Sequence, residues 1–148
     1  MRKVAVVGAG KIGSTVLDLL AQSCGYQVRV IDQSAAALAA LNPRSKPETV
    51  VLDIDDPERL ALALAGCFAD VSCAPYHLTV TVARAAKAAG VHYLDLTEDV
   101  ASSRVVRELA AEGGSAFIPQ CGLAPGFISI AAWDLIKHFD ELHDVRLR

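Results

Sequence analysis

A doubly wound α/β fold is predicted: a mostly parallel sheet of about six strands with helices on both faces. Three observations predict it. Short apolar runs alternate with segments of helical spacing, the pattern of βαβ units. Glycine, proline and Ser/Asp punctuation separates most of these segments. The chain has 148 residues, the size of one domain in the usual range of roughly 100–200 residues. No linker, repeat or low-complexity run divides it.

Lys3–Val7 is apolar on both sides, as a buried parallel strand is. Gly8–Gly13 reads as a glycine turn. Ser14–Gln22 has helical spacing, with Val16, Leu19 and Leu20 on one stripe. Val28–Ile31 is a second strand ending at Asp32. Ser34 suits the N-cap of a helix over Ala35–Leu41, which Asn42-Pro43 breaks. Thr49–Leu52 is a third strand, followed by the acidic stretch Asp53–Asp56. Pro57 fits the first turn of the helix Glu58–Ala65, ended by Gly66. Ala69–Cys73 is a fourth strand, stopped by Ala74-Pro75. Leu78–Ala89 is an alanine-rich helix ended by Gly90. Tyr93–Leu96 is a fifth strand, Val100–Ala111 a helix closed by Gly113-Gly114, and Ala116–Ile118 a sixth strand. Gly126–Phe139 is the last helix, and Asp144–Leu147 begins another strand.

Composition bounds the function. Fourteen Lys and Arg against 17 Asp and Glu give a net charge of −3. That balance argues against a general nucleic-acid binder, which needs a basic face. A 53% hydrophobic, 21% charged chain is globular rather than disordered. Cys24, Cys67, Cys73 and Cys121 show no two-residue gap, and His77, His92, His138 and His143 do not join them in a ligand pattern. No metal is expected; the cysteines read as small hydrophobes in a reducing compartment. Met1-Arg2-Lys3 resembles the head of a signal peptide, but the apolar run Val4–Ala9 is shorter than a typical core of about 7–15 residues. No stretch approaches the ~18 apolar residues of a membrane span. A cytoplasmic protein with neither membrane nor nucleic-acid partner is expected.

The chemistry lies first in Gly8-Ala9-Gly10-Lys11-Ile12-Gly13, a G-x-G-x-x-G after a strand and before a helix. In a Rossmann-type fold, Gly8 permits the tight turn and Gly10 lets a pyrophosphate approach the backbone. Gly13 lets the helix pack on the strand. The helix N-terminus at Lys11 and Ile12 supplies free N–H groups. Asp32 stands about 20 residues on, where an acid takes the adenosine ribose hydroxyls. Its carboxylate favours a free 2′-hydroxyl, and Gln33 rather than an arginine follows. NAD is therefore expected in preference to NADP.

Other strand ends are read as lining the same site. Asp53 can accept from the adenine amine and Ile54 can pack on its ring; equally, Asp53 is a solvated loop acid. Ala74, Pro75 and Tyr76 would border the ribose and nicotinamide. Tyr76 or His77 is a candidate proton donor, and His77 is equally a helix cap. Asp95, Thr97, Glu98 and Asp99 either meet a cationic substrate or cap the next helix. Gly122-Leu123-Ala124-Pro125-Gly126 forms a second loop feeding a helix N-terminus, suited to the nicotinamide amide or a substrate carboxylate. Cys121 has no partner base nearby in sequence and is a poor nucleophile. No residue is assigned as catalytic.

Together, V-V-G-A-G-K-I-G at 6–13, Asp32, S-C-A-P-Y-H at 72–77, Y-L-D-L-T at 93–97 and C-G-L-A-P-G at 121–126 resemble the saccharopine dehydrogenase-like family. That family includes saccharopine reductase, lysine 6-dehydrogenase and carboxynorspermidine dehydrogenase. The resemblance implies a nicotinamide oxidoreductase acting on the C–N bond of an amino acid or imine. It implies cofactor contacts at Gly8, Gly10, Lys11, Ile12, Gly13, Asp32, Asp53, Ala74, Pro75 and Tyr76; Gln33, Ile54 and Thr97 join them. Gly122–Gly126 would face nicotinamide and substrate. Ala124 stands where saccharopine reductases carry an acid, which points toward the lysine 6-dehydrogenase branch. The resemblance further implies a C-terminal substrate and dimerisation domain. Residues 1–148 would thus be a dinucleotide-binding domain alone, inactive by itself, with a homodimer formed through the other domain.

Two other classes compete. A nucleotide-sensing regulatory domain of the potassium-transport type shares the length, glycine turn and second-strand acid, but lacks a G-L-A-P-G loop. A short-chain or semialdehyde reductase needs a tyrosine–lysine pair, and Val80 stands four residues after Tyr76.

Overall fold

In the computed structural model, which describes residues 1–111 and 113–146, six parallel strands form one sheet. They are β1 (Arg2–Val7), β2 (Tyr26–Asp32), β3 (Glu48–Val51), β4 (Ala69–Ser72), β5 (His92–Asp95) and β6 (Phe117–Ile118). Their order is β3-β2-β1-β4-β5-β6, as expected for a doubly wound Rossmann fold. β1 is central because Val4–Val7 are apolar on both faces and wholly or nearly buried. The winding reverses between β1 and β4. Their carboxyl ends therefore open a crevice, the usual ligand position in such sheets.

One face is covered by α1 (Lys11–Gln22) and α2 (Ala35–Ala39), which pack Leu17 and Leu38 against Val6, Val28 and Val30. On the other, α3 (Pro57–Leu64), α4 (Thr79–Ala89) and α5 (Val100–Ala111) bring Leu60, Leu64, Val82 and Val106 against Val7, Ile31 and Tyr93. The caps work as their residues predict. Ser34 accepts from Ala37 N at 3.1 Å and Asp56 from Arg59 N at 3.0 Å. Gly90 ends α4 at φ +69°.

Most element ends shift by one or two residues from the sequence reading, the last helix running only over Phe127–Ile136, and larger differences follow. α1 begins at Lys11 rather than Ser14, with Gly10 as its N-cap, so three motif residues, Lys11, Ile12 and Gly13, are helical. Gly13 and Leu17 are buried and Val16 and Leu20 pack half-buried against the core, while Leu19 is 61% exposed. α2 stops at Ala39, and a 3-10 turn over Pro43–Ser45 follows, capped by Asn42. Asp144–Arg146 is irregular rather than strand; Leu147, the end of that expected strand, lies outside the described residues. The last helix, α6 (Phe127–Ile136), buries none of its residues. Phe127, Ile130, Trp133 and Leu135 all stand exposed.

Asp70 on β4 is wholly buried, and neither carboxylate oxygen has a partner. Burial pushes its carboxyl well above the usual range. The folded chain therefore keeps a proton that the unfolded chain releases above about pH 4. Stability should fall as pH rises from there through the raised folded-state value. Asp70→Asn is expected to flatten that fall in urea unfolding at a series of pH values; equal slopes in the two proteins would contradict it.

Candidate functional site

The turn between β1 and α1 is built on three glycines with different duties. Gly8 adopts φ +106°, and a Cβ there would stand 2.8 Å from Cys73 O. A Cβ on Gly13 would overlap Gly8 O. A Cβ on Gly10 would meet nothing within 4 Å. So Gly8 and Gly13 hold the turn against β4 and itself, while Gly10 faces open space. Ser14 N, bonded to Gly10 O at 2.9 Å, opens the i to i−4 ladder. The amides of Lys11, Ile12 and Gly13 precede it and have no intrahelical partner. No acid occupies the first turn. This end of α1 suits an anionic ligand.

Asp32, half-buried at the end of β2, accepts from Ala9 N and Ser34 N, each at 2.7 Å. The first bond ties β2 to the glycine turn; the second starts α2. Each oxygen retains acceptor capacity for a ribose hydroxyl. Gln33 is exposed beside it. Asp53 is exposed and accepts from Asp55 N at 3.1 Å. Ile54 is 5% exposed and belongs to the core cluster with Leu52 and Leu60. At this edge the acid is open to a ligand and the isoleucine packs inward.

Between α1, the β4 end and the loops after β5 and β6 lies an open cleft of about 1120 Å³. Of the predicted residues, Lys11, Ile12, Ala74, Tyr76, Asp95, Thr97, Glu98, Asp99, Gly122, Leu123 and Ala124 line it. Gly8, Gly10, Gly13, Asp32, Gln33, Asp53, Ile54, Pro75, Pro125 and Gly126 do not. The wall also includes Thr15 and Leu19, one and two turns along α1 from Lys11 and Ile12, and Ser72 and Thr79. Helical spacing is the signal that could have found the first two. Tyr76 is 68% exposed in a 3-10 turn over Tyr76–Leu78, its ring edge-on to His77. Leu78, not His77, occupies the N-cap of α4.

Asp95 is the hub of the far wall. It is 1% exposed and ends β5. Oδ1 accepts from Thr97 N at 3.0 Å and Gln120 N at 3.1 Å, and its carbonyl accepts from Cys121 N at 2.8 Å. Asp95 therefore fixes the second loop onto β5. That loop closes on itself through a Gly122–Gly126 bridge, with Gly126 at φ +129° and the Ala124–Pro125 peptide cis. Asp99 is a cap: it accepts from Ser102 N at 2.7 Å, which lowers its carboxyl below the usual range.

Neither thiol near the cleft is activated. Burial, with the Asp70 charge, pushes Cys73 up to about 12. Burial, then the Asp95 charge, also raises Cys121, which donates to Ile118 O at 3.2 Å. Among the described residues, no group of three or more His, Cys, Asp or Glu is placed to hold a metal ion, and no helix is long and apolar enough to cross a membrane.

Residues 4–117 match the family model described as the saccharopine dehydrogenase NADP binding domain. The saccharopine dehydrogenase [NADP(+), L-glutamate-forming] of Saccharomyces cerevisiae is 28% identical over 148 residues, covering 96% of this chain and 31% of that protein. The structure of apo histidine-tagged saccharopine dehydrogenase (L-Glu forming) from the same yeast superposes with a TM-score of 0.82 at 22% identity. It covers 93% of this chain and 31% of that one. GenD2 from gentamicin A biosynthesis, solved with NAD, superposes at 0.70 with 21% identity over 90% of this chain and 38% of its own. These structural likenesses show the shared fold. The chain spans 31% of the length of the yeast relative.

Proposed function

The chain belongs to the saccharopine dehydrogenase NADP-binding domain family, and on that premise we propose that it holds the nicotinamide cofactor of an oxidoreductase acting on the C–N bond of an amino acid or imine. The observation that carries the reading is the open face of Gly10 and the free amides at the start of α1, beside a cleft whose wall includes Lys11 and Ile12 at one side and Gly122, Leu123 and Ala124 at the other. When bound, the cofactor supplies the hydride chemistry. The amides of Lys11, Ile12 and Gly13 hold phosphate oxygens. Asp32 accepts from ribose hydroxyls while it keeps the glycine turn closed. Ala74, Tyr76 and Thr97 wall the cleft, and Asp95 orients the loop that faces the nicotinamide end.

The exposed apolar side chains of α6 support a packing partner in the intact enzyme, and we assign the substrate-holding groups and the dimer contact to that partner region. Ala124, without a carboxylate in the loop, favours a free amino acid such as lysine over saccharopine. The intact enzyme is expected to reduce its cofactor, followed at 340 nm, with members of a free amino-acid panel. Turnover confined to hydroxy acids or alcohols would overturn the C–N assignment.

Cofactor choice follows from Asp32. A 2′-phosphate would be placed against a carboxylate with no adjacent arginine, so NAD should bind about tenfold or more tightly than NADP, a difference of about 1.4 kcal/mol. Tighter NADP binding in parallel titrations would reverse the assignment.

A further inference from the structure

A second, smaller pocket of about 310 Å³ opens between α5 and Gln120, which lies two residues beyond β6. Its wall is Val100, Ser103, Arg104, Arg107 and Gln120. The four helical residues stand at i, i+3, i+4 and i+7, one face of α5. Gln120 is brought to them by β5–β6 pairing and by the hydrogen bond its backbone N–H donates to Asp95 Oδ1, in a backbone held at φ +65°.

Three features make this pocket a site. Ser103 is 4% exposed, yet its Oγ has no hydrogen-bond partner. A buried hydroxyl without a partner is costly and rare. Arg104 and Arg107 stand exposed beside it, and among the described residues neither makes an ion pair or side-chain hydrogen bond. By contrast, Arg29 and Lys3 both engage Glu48. The capping acid of α5, Asp99, spends its carboxylate on Ser102 N. Two guanidinium forks, a hydroxyl and a carboxamide converge on a space the size of a small ligand, all able to donate.

We propose that this α5–β6 pocket binds a small oxyanion, a carboxylate or a phosphate, through Arg104, Arg107, Ser103 Oγ and the Gln120 side chain. Because Gln120 N is held by Asp95, an occupant of the pocket bears on the same acid that fixes the cleft loop. The proposal stands on these residues alone and does not depend on the C–N reading.

The test is amide and arginine side-chain NMR of the 148-residue chain, titrated at constant ionic strength with inorganic phosphate and, separately, with glutarate. Saturable shifts confined to Ser103, Arg104, Arg107 and Gln120 are expected from one or both. A response to phosphate alone or glutarate alone identifies the source; a response to both establishes the shared chemistry. R104Q/R107Q should weaken binding at least about tenfold. S103A should weaken it while leaving the melting temperature of the free chain unchanged or higher, because the hydroxyl it removes has no partner. No saturable response to either probe, or an unchanged affinity in R104Q/R107Q, overturns the proposal. An intact spectrum in each variant shows that the fold is retained.

Discussion

Gly10→Ala and Gly13→Ala are expected to separate binding from folding. The two glycines lie three residues apart in one motif, but their surroundings are opposite. A methyl on Gly13 would overlap the carbonyl oxygen of Gly8. Both atoms belong to rigid backbone, so the turn itself must move. Overpacking of this kind costs about 1–3 kcal/mol, sometimes more. The melting temperature should fall by roughly 2–4 °C for each kcal/mol in a domain of this size, and dinucleotide binding should be lost with the turn. A methyl on Gly10 meets no atom within 4 Å, and its φ of −71° suits any L-residue. Stability should stay within about 0.5 kcal/mol of the parent. Yet the methyl would occupy the surface where a pyrophosphate approaches, so NAD affinity should fall about 100-fold or more, near 2.7 kcal/mol. Thermal melts and calorimetric titration read both effects. A Gly10→Ala chain that binds NAD normally would place the phosphates elsewhere.

Asp32→Ala should damage both properties at once. The carboxylate closes the glycine turn through Ala9 N and begins α2 through Ser34 N. Hydrogen bonds to a charged group contribute about 1.5–3 kcal/mol each; since this site is half-buried, a total loss of about 2–3 kcal/mol is expected. NAD affinity should fall about 100-fold, because the ribose acceptor and the turn's tether go together. Asp32→Asn is not a mild control: its NH2 would face one of the two N–H donors. An unchanged NAD affinity in Asp32→Ala would remove the ribose role. An unchanged melting temperature would remove the tether.

The order of elements was legible because buried parallel strands leave unbroken apolar runs, and glycines and prolines stand between them. The motif glycines and Asp32 were legible because their spacing is tied to one backbone geometry. Other features were not, for physical reasons. Leu19 reads as core by its position on a helical stripe, but the sheet meets α1 along Gly13 and Leu17, which turns Leu19 into the cleft. Ile54 reads as a surface for the adenine ring because it follows a strand end, whereas the chain bends to pack it under Leu52 and Leu60. Asp95 reads as one of several acids near a strand end. Its role arises from amides 25 and 26 residues further on, a relation set only once β6 pairs with β5. The α5–β6 pocket is hidden in the sequence for the same reason. Its arginines carry helical spacing, but the glutamine that completes it comes from the loop after β6.

The central claim is that the glycine turn and Asp32 form a working dinucleotide site within these 148 residues. Calorimetric titration of the chain with NAD and NADP tests it most directly. Saturable one-to-one binding, tighter for NAD and lost in Gly10→Ala while the melting temperature holds, is the predicted result. The absence of saturable binding by either dinucleotide to the folded chain would contradict it.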